Sequence, residues 1–175
     1  MKLRITKKIA AYSLTLIAAL LTTVNVNATP ITSSGDSSLA GATTITFDES
    51  PNGAYSSLTI GNVTFDGAGS NNLRIEDNSC ADVGCTPYTG DALTNQTSST
   101  SGTGFDVTFG STVSAFGFGA GAINSLLTIT AYDINDIFLE AYSFASSCCA
   151  FEFGGIAKTG IARVNVATTD YMLFD

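Results

Sequence analysis

Apolar and polar residues alternate in short runs along most of the chain after residue 43. Thr or Asp stands between the apolar residues, and Gly, Ser, Thr and Asn separate one run from the next. This period of two is typical of strands that bury one face, because successive side chains point to opposite sides of a sheet. We therefore predict an all-β domain at 43–175, a two-sheet antiparallel sandwich or jelly roll of about eight or nine strands. The runs are TITFD, LTIGNVTFDG, FDVTFG, LLTITAYD, DIFLEAY, IARVNVA and YMLF.

The runs LLTITAYD and DIFLEAY meet at DIND, Asp133 to Asp136. We predict a hairpin turn there, because Asn and Asp tolerate the left-handed backbone of tight turns. Alternation places Ile137, Leu139 and Ala141 on the inward face of the second run. Residues 89–104, by contrast, do not alternate and indicate a polar loop that buries little area.

The first 28 residues have the layout of a secretory signal peptide, with a basic start, an apolar run from Ile9 to Leu21 and a small residue at Ala28. A retained anchor is the alternative, but the run is shorter than the roughly 20 residues of a membrane span. We expect cleavage after Ala28, a flexible leader at 29–42, and a secreted or extracellular protein. No later apolar run is long enough for an integral span in the mature chain.

Charge limits the partners of the exported form. The predicted signal peptide contains four of the seven basic residues and none of the fifteen acidic ones, so three against fifteen leaves a net charge of −12. Such a surface repels the phosphates of nucleic acids and of anionic lipids. We expect no nucleic-acid partner, and weak binding to neutral or cation-bridged polysaccharide, with a polyanion accepted only through calcium.

The sequence shows little sign of catalysis. It has no histidine, which is the usual general base and the commonest zinc ligand. Neither a nucleophile elbow nor a phosphate-binding or dinucleotide-binding glycine motif occurs. We predict that the protein is not an enzyme. A carboxylate pair of the kind that cleaves glycosides remains the basis of a minor alternative, a polysaccharide hydrolase or lyase.

Four cysteines, Cys80, Cys85, Cys148 and Cys149, occur in two groups. Their spacings do not match a four-thiolate zinc site, and an oxidising compartment favours disulfides. Two pairings stay open: bonds between the two groups, or a Cys80–Cys85 bond beside a vicinal Cys148–Cys149 bond, which is strained. Reduced thiols are the remaining possibility. We predict structural disulfides, since no cation stands near Cys148 in the sequence to activate a thiolate.

Acidic and aromatic residues supply the candidate binding sites. Carboxylates in FDES and IEDN and at Asp175 are oxygen ligands of the kind that calcium prefers. The chain has no tryptophan, and the tyrosines that could stack on a sugar ring are Tyr55, Tyr88, Tyr132 and Tyr142. Of these, we select Tyr88 and Tyr132 as ligand-binding residues, because they adjoin polar loops.

Several pieces in order carry a resemblance to a known family: TITFDE, LTIGNVTFDG, ALTN, FDVTFGSTVSAFGFGAG, LTITAYDINDIFLEAYSF, FGGIAKTGIARVNV and YMLFD. Over residues 44–175 the chain resembles the ectodomain of bacterial exosortase-sorted (PEP-CTERM) proteins. The resemblance implies a jelly roll similar to carbohydrate-binding modules, with a structural calcium whose best-matching ligands are Asp48, Glu49 and Asp175. Proteins of this family usually continue past the strand that matches YMLFD into a Pro-Glu-Pro motif, an apolar helix and a basic tail, whereas this sequence stops at Asp175.

These observations lead to one expected function and two alternatives. We expect an exported, non-catalytic binding protein of the cell surface or extracellular matrix that recognises glycan or exopolysaccharide weakly. A purely structural envelope or biofilm component without a defined ligand is the first alternative. A polysaccharide hydrolase or lyase is the second.

Overall fold

The computed structural model describes residues 29–67, 73–77, 90–95, 104–121, 125–145 and 151–175. Within these ranges the chain forms strands and one 3-10 turn at Ser37–Leu39, with no α-helix. The strands are β1 (Thr29–Ile31), β2 (Gly53–Tyr55), β3 (Ser57–Ile60), β4 (Val63–Gly67), β5 (Leu73–Asp77), β6 (Asp91–Thr94), β7 (Phe105–Gly121), β8 (Leu126–Tyr132), β9 (Phe138–Ala145), β10 (Glu152–Ala167) and β11 (Leu173–Phe174).

All eleven strands belong to one hydrogen-bonded sheet, and every pairing is antiparallel. The main order is β2-β5-β6-β11-β7-β10-β8-β9. In addition, β1 pairs with β10, and the β3–β4 hairpin joins the sheet through β7. The predicted all-β class and the antiparallel pairing are confirmed.

Two long strands, β7 and β10, have different neighbours at their two ends. Near Phe105, β7 pairs with β4, and near Gly121 it pairs with β11. The register of β7 with β10 shifts on both sides of Ile161. The sheet therefore has two parts, the β8 half (β3-β4-β7-β10-β8-β9) and the β11 half (β2-β5-β6-β11-β7-β10-β1).

Phenylalanines from both halves form one buried cluster. The ring of Phe174 on β11 stacks on that of Phe118, with 4.4 Å between centroids. It also contacts Phe105 at 5.2 Å and Phe65 at 5.9 Å, both from the β8 half. A further contact, with Phe47 at 6.1 Å, comes from the segment before β2. Edge-to-face and stacked pairs at these distances stabilise a core beyond the area they bury.

The sheet contains more strands than the sequence pattern predicted. β6 lies inside the predicted polar loop 89–104, and its Leu93 is fully buried, because a short strand in the middle of a sheet needs few apolar residues. The predicted leader 29–42 contains β1, which pairs with β10 and buries Ile31. Conversely, the run TITFD is not a strand, although Phe47 packs in the core.

The predicted hairpin turn at Asp133 to Asp136 is confirmed. Asp136 has a φ of 61°, and the Asp133 carboxylate accepts the N–H groups of Asn135 and Ile137, both at 2.8 Å. These hydrogen bonds favour the charged form and lower the pKa of Asp133, the bond from Ile137 most of all.

Three residues in and just before β9 were predicted to face inward, and two of these predictions were wrong. The register with β8 shifts between Ala131 and Tyr132, which leaves one extra residue on β9. Such a bulge changes which side chains point inward. Leu139 packs against the core as predicted, whereas Ile137 is 60% exposed and Ala141 is also exposed.

Residues 1–28 lie outside the described residues, so the signal peptide and export stay predictions. The part of the chain that the structure describes contains no helix with the length and apolar character of a membrane span.

Gly155 provides a test of the close contact between β10 and β7. A Cβ there would meet the carbonyl oxygen of Phe116 and the Cα of Gly117 at less than 3.0 Å, and both are backbone atoms that cannot rotate away. Gly155→Ala should lower the free energy of unfolding by about 1–3 kcal/mol. Gly35→Ala, whose Cβ would meet only the Ser33 hydroxyl at 3.7 Å, should change it by less than about 0.5 kcal/mol. Urea denaturation measures both, and equal stability of the two variants would contradict the described packing.

Candidate functional site

Tyr132 is the predicted ligand-binding residue that the structure describes. It ends β8, in which Leu127, Ile129 and Ala131 point into the core, so Tyr132 stands on the outer face. Its register partners are Arg163 on β10 and Phe138 on β9. Three side chains from adjacent strands thus form a row on the outer face of the β8 half.

Arg163 occupies the centre of this row. Its guanidinium carbon lies 4.1 Å from the centroid of the Tyr132 ring, within the range of a cation–π contact. Nη1 donates to Asp106 at 3.0 Å, and Nη2 lies 2.9 Å from Asp136. Partial burial lowers the pKa of Arg163, but the bond to Asp136 and the charges of both carboxylates outweigh that effect and raise it.

Asp106 links this row to the next one along the sheet. Its Oδ1 accepts a second hydrogen bond, at 2.8 Å, from the side-chain amide of Asn165 on β10. Because Asp106 and Asp136 both contact Arg163, the guanidinium is fixed from the sheet and from the hairpin turn. We call this set the Tyr132 patch; its members are Tyr132, Phe138, Arg163, Asp106, Asp136 and Asn165.

Phe138 offers more free aromatic surface than Tyr132. The Tyr132 ring is half-buried and carries the guanidinium of Arg163 over it, whereas Phe138 is 59% exposed. Sequence reasoning missed Phe138 because it considered only the tyrosines as residues that could stack on a sugar ring. In the run DIFLEAY, Phe138 lies between two positions predicted to face inward, so the alternation could have identified it as an outward-facing aromatic residue.

Asp48 and Asp175, two of the residues that the resemblance implies as calcium ligands, lie close together. Burial, and then the charge of Asp48, raise the pKa of the Asp175 carboxyl, although the residue as a whole is exposed. Asp175 extends β11 by pairing its backbone with Gly119 on β7. The Asp48 carboxylate accepts the N–H of Asp91 at 2.8 Å.

The described residues do not form a complete calcium site. No group of three or more Asp, Glu, Cys or His side chains in the described ranges could hold a metal ion. Calcium takes six to eight oxygen ligands, and the Asp48–Asp175 pair with Glu49 nearby in sequence does not fit that requirement. Structural calcium therefore stays a prediction from the resemblance, without support from the geometry.

A groove of about 770 Å³ is lined by none of the residues of the Tyr132 patch. Its lining includes Phe116 and Phe153 as well as the carboxylates Glu49 and Asp175. A glycosidase uses two carboxyl groups, one as acid and one as base or nucleophile, in the groove that holds the sugar chain. The hydrolase alternative would therefore have its acids in this groove.

Five of the predicted site residues lie outside the described ranges, and for these the predictions stand as made. They are Cys80, Cys85, Tyr88, Cys148 and Cys149.

Comparison with known proteins yields a distant likeness to a solved structure. No family model matches the chain, and no curated protein matches it. Among solved structures it is similar to the enzymatically active domain of tailspike protein 4 from bacteriophage CBA120, with a TM-score of 0.38 and 14% identity. The match covers 65% of this chain and 18% of the tailspike chain. A likeness at this level carries no argument, and the resemblance to exosortase-sorted proteins stays a prediction.

The raised pKa of Asp175 predicts a pH dependence of stability. A carboxyl that holds its proton more tightly in the folded state stabilises that state at low pH, and this contribution is lost as the pH rises from its ordinary pKa of 3.8 through the raised value. Relative to wild type, Asp175→Asn should therefore gain stability over that range. Urea denaturation across the range measures the difference. Asp133→Asn, at a carboxyl whose pKa is lowered, should instead lose stability relative to wild type as the pH rises through the lowered value to 3.8, and should differ from it by a constant amount above 3.8. A constant difference for Asp175→Asn above 3.8 would contradict the assignment.

Proposed function

We propose that this chain is an exported, non-catalytic binding protein that recognises glycan through the Tyr132 patch. The observation that carries the proposal is an exposed aromatic ring, Phe138, beside a fixed network of polar side chains on the outer face of a sheet.

The proposal includes a two-layer arrangement of the sheet, a sandwich or jelly roll. Contacts between the halves support it, because Phe174 of the β11 half packs on Phe65 and Phe105 of the β8 half. The ring of Phe144 on β9 likewise lies against Phe118 of the β11 half, with 6.3 Å between centroids. In this arrangement the two inner faces form the core and the Tyr132 patch faces solvent.

The chemistry of the patch suits a sugar ring. Sugars present C–H groups on their ring faces and hydroxyls around the rim. The exposed ring of Phe138 covers the first, and the carboxylates of Asp106 and Asp136 with the amide of Asn165 can replace water at the second. Arg163 already fixes both carboxylates, so little side-chain entropy is lost when a ligand binds.

The surroundings of the patch favour a polymer over a small molecule. The neighbouring outward residues Thr128, Thr130 and Ser143 are short and polar, and the Thr128 and Ser143 hydroxyls bond one another at 2.9 Å across β8 and β9. Small-molecule sites are concave, whereas an extended chain can lie along such a face. We expect weak binding at each site, which becomes useful when many copies contact one polymer.

Replacing Phe138 tests the proposal. Phe138→Ala should reduce retention on cellulose, chitin or a Gram-negative exopolysaccharide by about tenfold, because it removes the stacking surface. Leu126→Ala is the matched control: Leu126 is 58% exposed on the same face of β8 but about 20 Å from Tyr132 along the strand. Pull-down assays with quantified free protein, with and without calcium, give the measurement.

Three results would contradict the proposal. Folded wild-type protein retained on none of these polymers would favour the purely structural alternative. Unchanged retention of Phe138→Ala, or a loss no larger than that of Leu126→Ala, would show that the ring of Phe138 is not the stacking surface. Release of soluble sugar during incubation would support the hydrolase alternative and direct attention to the groove with Glu49 and Asp175.

A further inference from the structure

Carboxylates exceed cations on the outer face of the β8 half. Asp66 on β4, Asp106 on β7 and Asp136 in the hairpin turn lie there, and Arg163 is the cation on the segment of β10 that pairs with β8. Lys158, also on β10, lies outside that segment. The guanidinium of Arg163 contacts both Asp106 and Asp136, so its charge is compensated within the protein. Around the Tyr132 patch, the described residues therefore offer little positive charge with which to attract a sulfate, phosphate or uronate group.

Asp66 faces Asp106 directly across β4 and β7. Like charges in directly opposite positions of two strands destabilise the pair. Asp106 is compensated by Arg163 and Asn165, whereas the Asp66 carboxylate is exposed and has no hydrogen bond or ion pair with a described residue. A cation bound at Asp66 would relieve this repulsion.

The distance between Asp66 and the aromatic residues limits the form of that cation. Phe138 is on β9, four strand spacings from β4, with β7, β10 and β8 between them, which is about 19 Å. A single ion cannot contact both ends, and the described residues contain no carboxylate group that could hold a metal ion. A ligand that uses both Asp66 and Phe138 must therefore be extended, with a ring surface at one end and a positive charge at the other.

We propose that the Tyr132 patch together with Asp66 binds an amino-sugar polymer whose amines are protonated. The inference rests on the proposed function, since it names the class of glycan that the same face recognises. One sugar ring stacks on Phe138, its hydroxyls bond Asn165 and Asp136, and the ammonium group of a ring further along the chain pairs with Asp66. Polyanionic glycans are repelled by the same carboxylates.

The effect of charge is separated from that of ring shape by comparing the binding of three soluble oligomers of equal length, built from glucosamine, N-acetylglucosamine or glucose. Calorimetric titration at about pH 5.5, where amines are protonated, should give the tightest binding for glucosamine. Asp66→Asn should weaken that binding by about two- to fivefold, in the range of an exposed ion pair, and should leave the other two oligomers unchanged. Asp77→Asn removes the same charge from an exposed residue of β5 in the β11 half and is the matched control.

The possible results separate this inference from the proposed function. Tightest binding of the glucosamine oligomer, weakened by Asp66→Asn but not by Asp77→Asn, supports the amino-sugar inference. Equal affinity for all three oligomers, or equal effects of Asp66→Asn and Asp77→Asn, would overturn the amino-sugar inference while glycan binding stands. Absence of binding to all three by the folded protein would overturn both.

Discussion

The antiparallel pairing of β7 with β10 is the constraint on which the rest of the structure depends. These two strands belong to both halves of the sheet. Every other described strand is hydrogen-bonded to one of them, either directly or through intervening strands. Their close approach requires Gly155 opposite Gly117, since a side chain at Gly155 would collide with backbone atoms. Phe174 then packs against phenylalanines of both halves and holds them around one core.

The Tyr132 patch is a consequence of the same pairing. Asp106 belongs to β7, Arg163 to β10 and Tyr132 to β8, so the three meet because β10 lies between the other two strands. Exposed ion pairs contribute little to stability, typically about 0–1 kcal/mol. The contacts of Arg163 with two carboxylates therefore matter more for geometry, because they fix the polar groups beside Phe138 before any ligand arrives.

Part of this structure follows from the sequence and part does not. Alternation identified β8 and the second half of β10, because the apolar residues of each bury one face. It missed β6, where only Ala92 and Leu93 are apolar, since a central strand is specified by its neighbours as much as by its own residues. Tyr132 was identified as a candidate from its residue type. Its contact with Arg163 was not, because that contact depends on the register of β8 with β10, which alternation alone does not reveal.

The central claim is that the outer face around Tyr132 binds glycan, and amide chemical-shift mapping of labelled protein tests it most directly. Soluble oligosaccharide would be added in steps while the resonances are followed. The account predicts that the largest shifts fall on Phe138, Tyr132 and Asn165, with little change at Phe116 and Phe153 in the groove. The largest shifts in the groove, or none at saturating oligosaccharide, would contradict it.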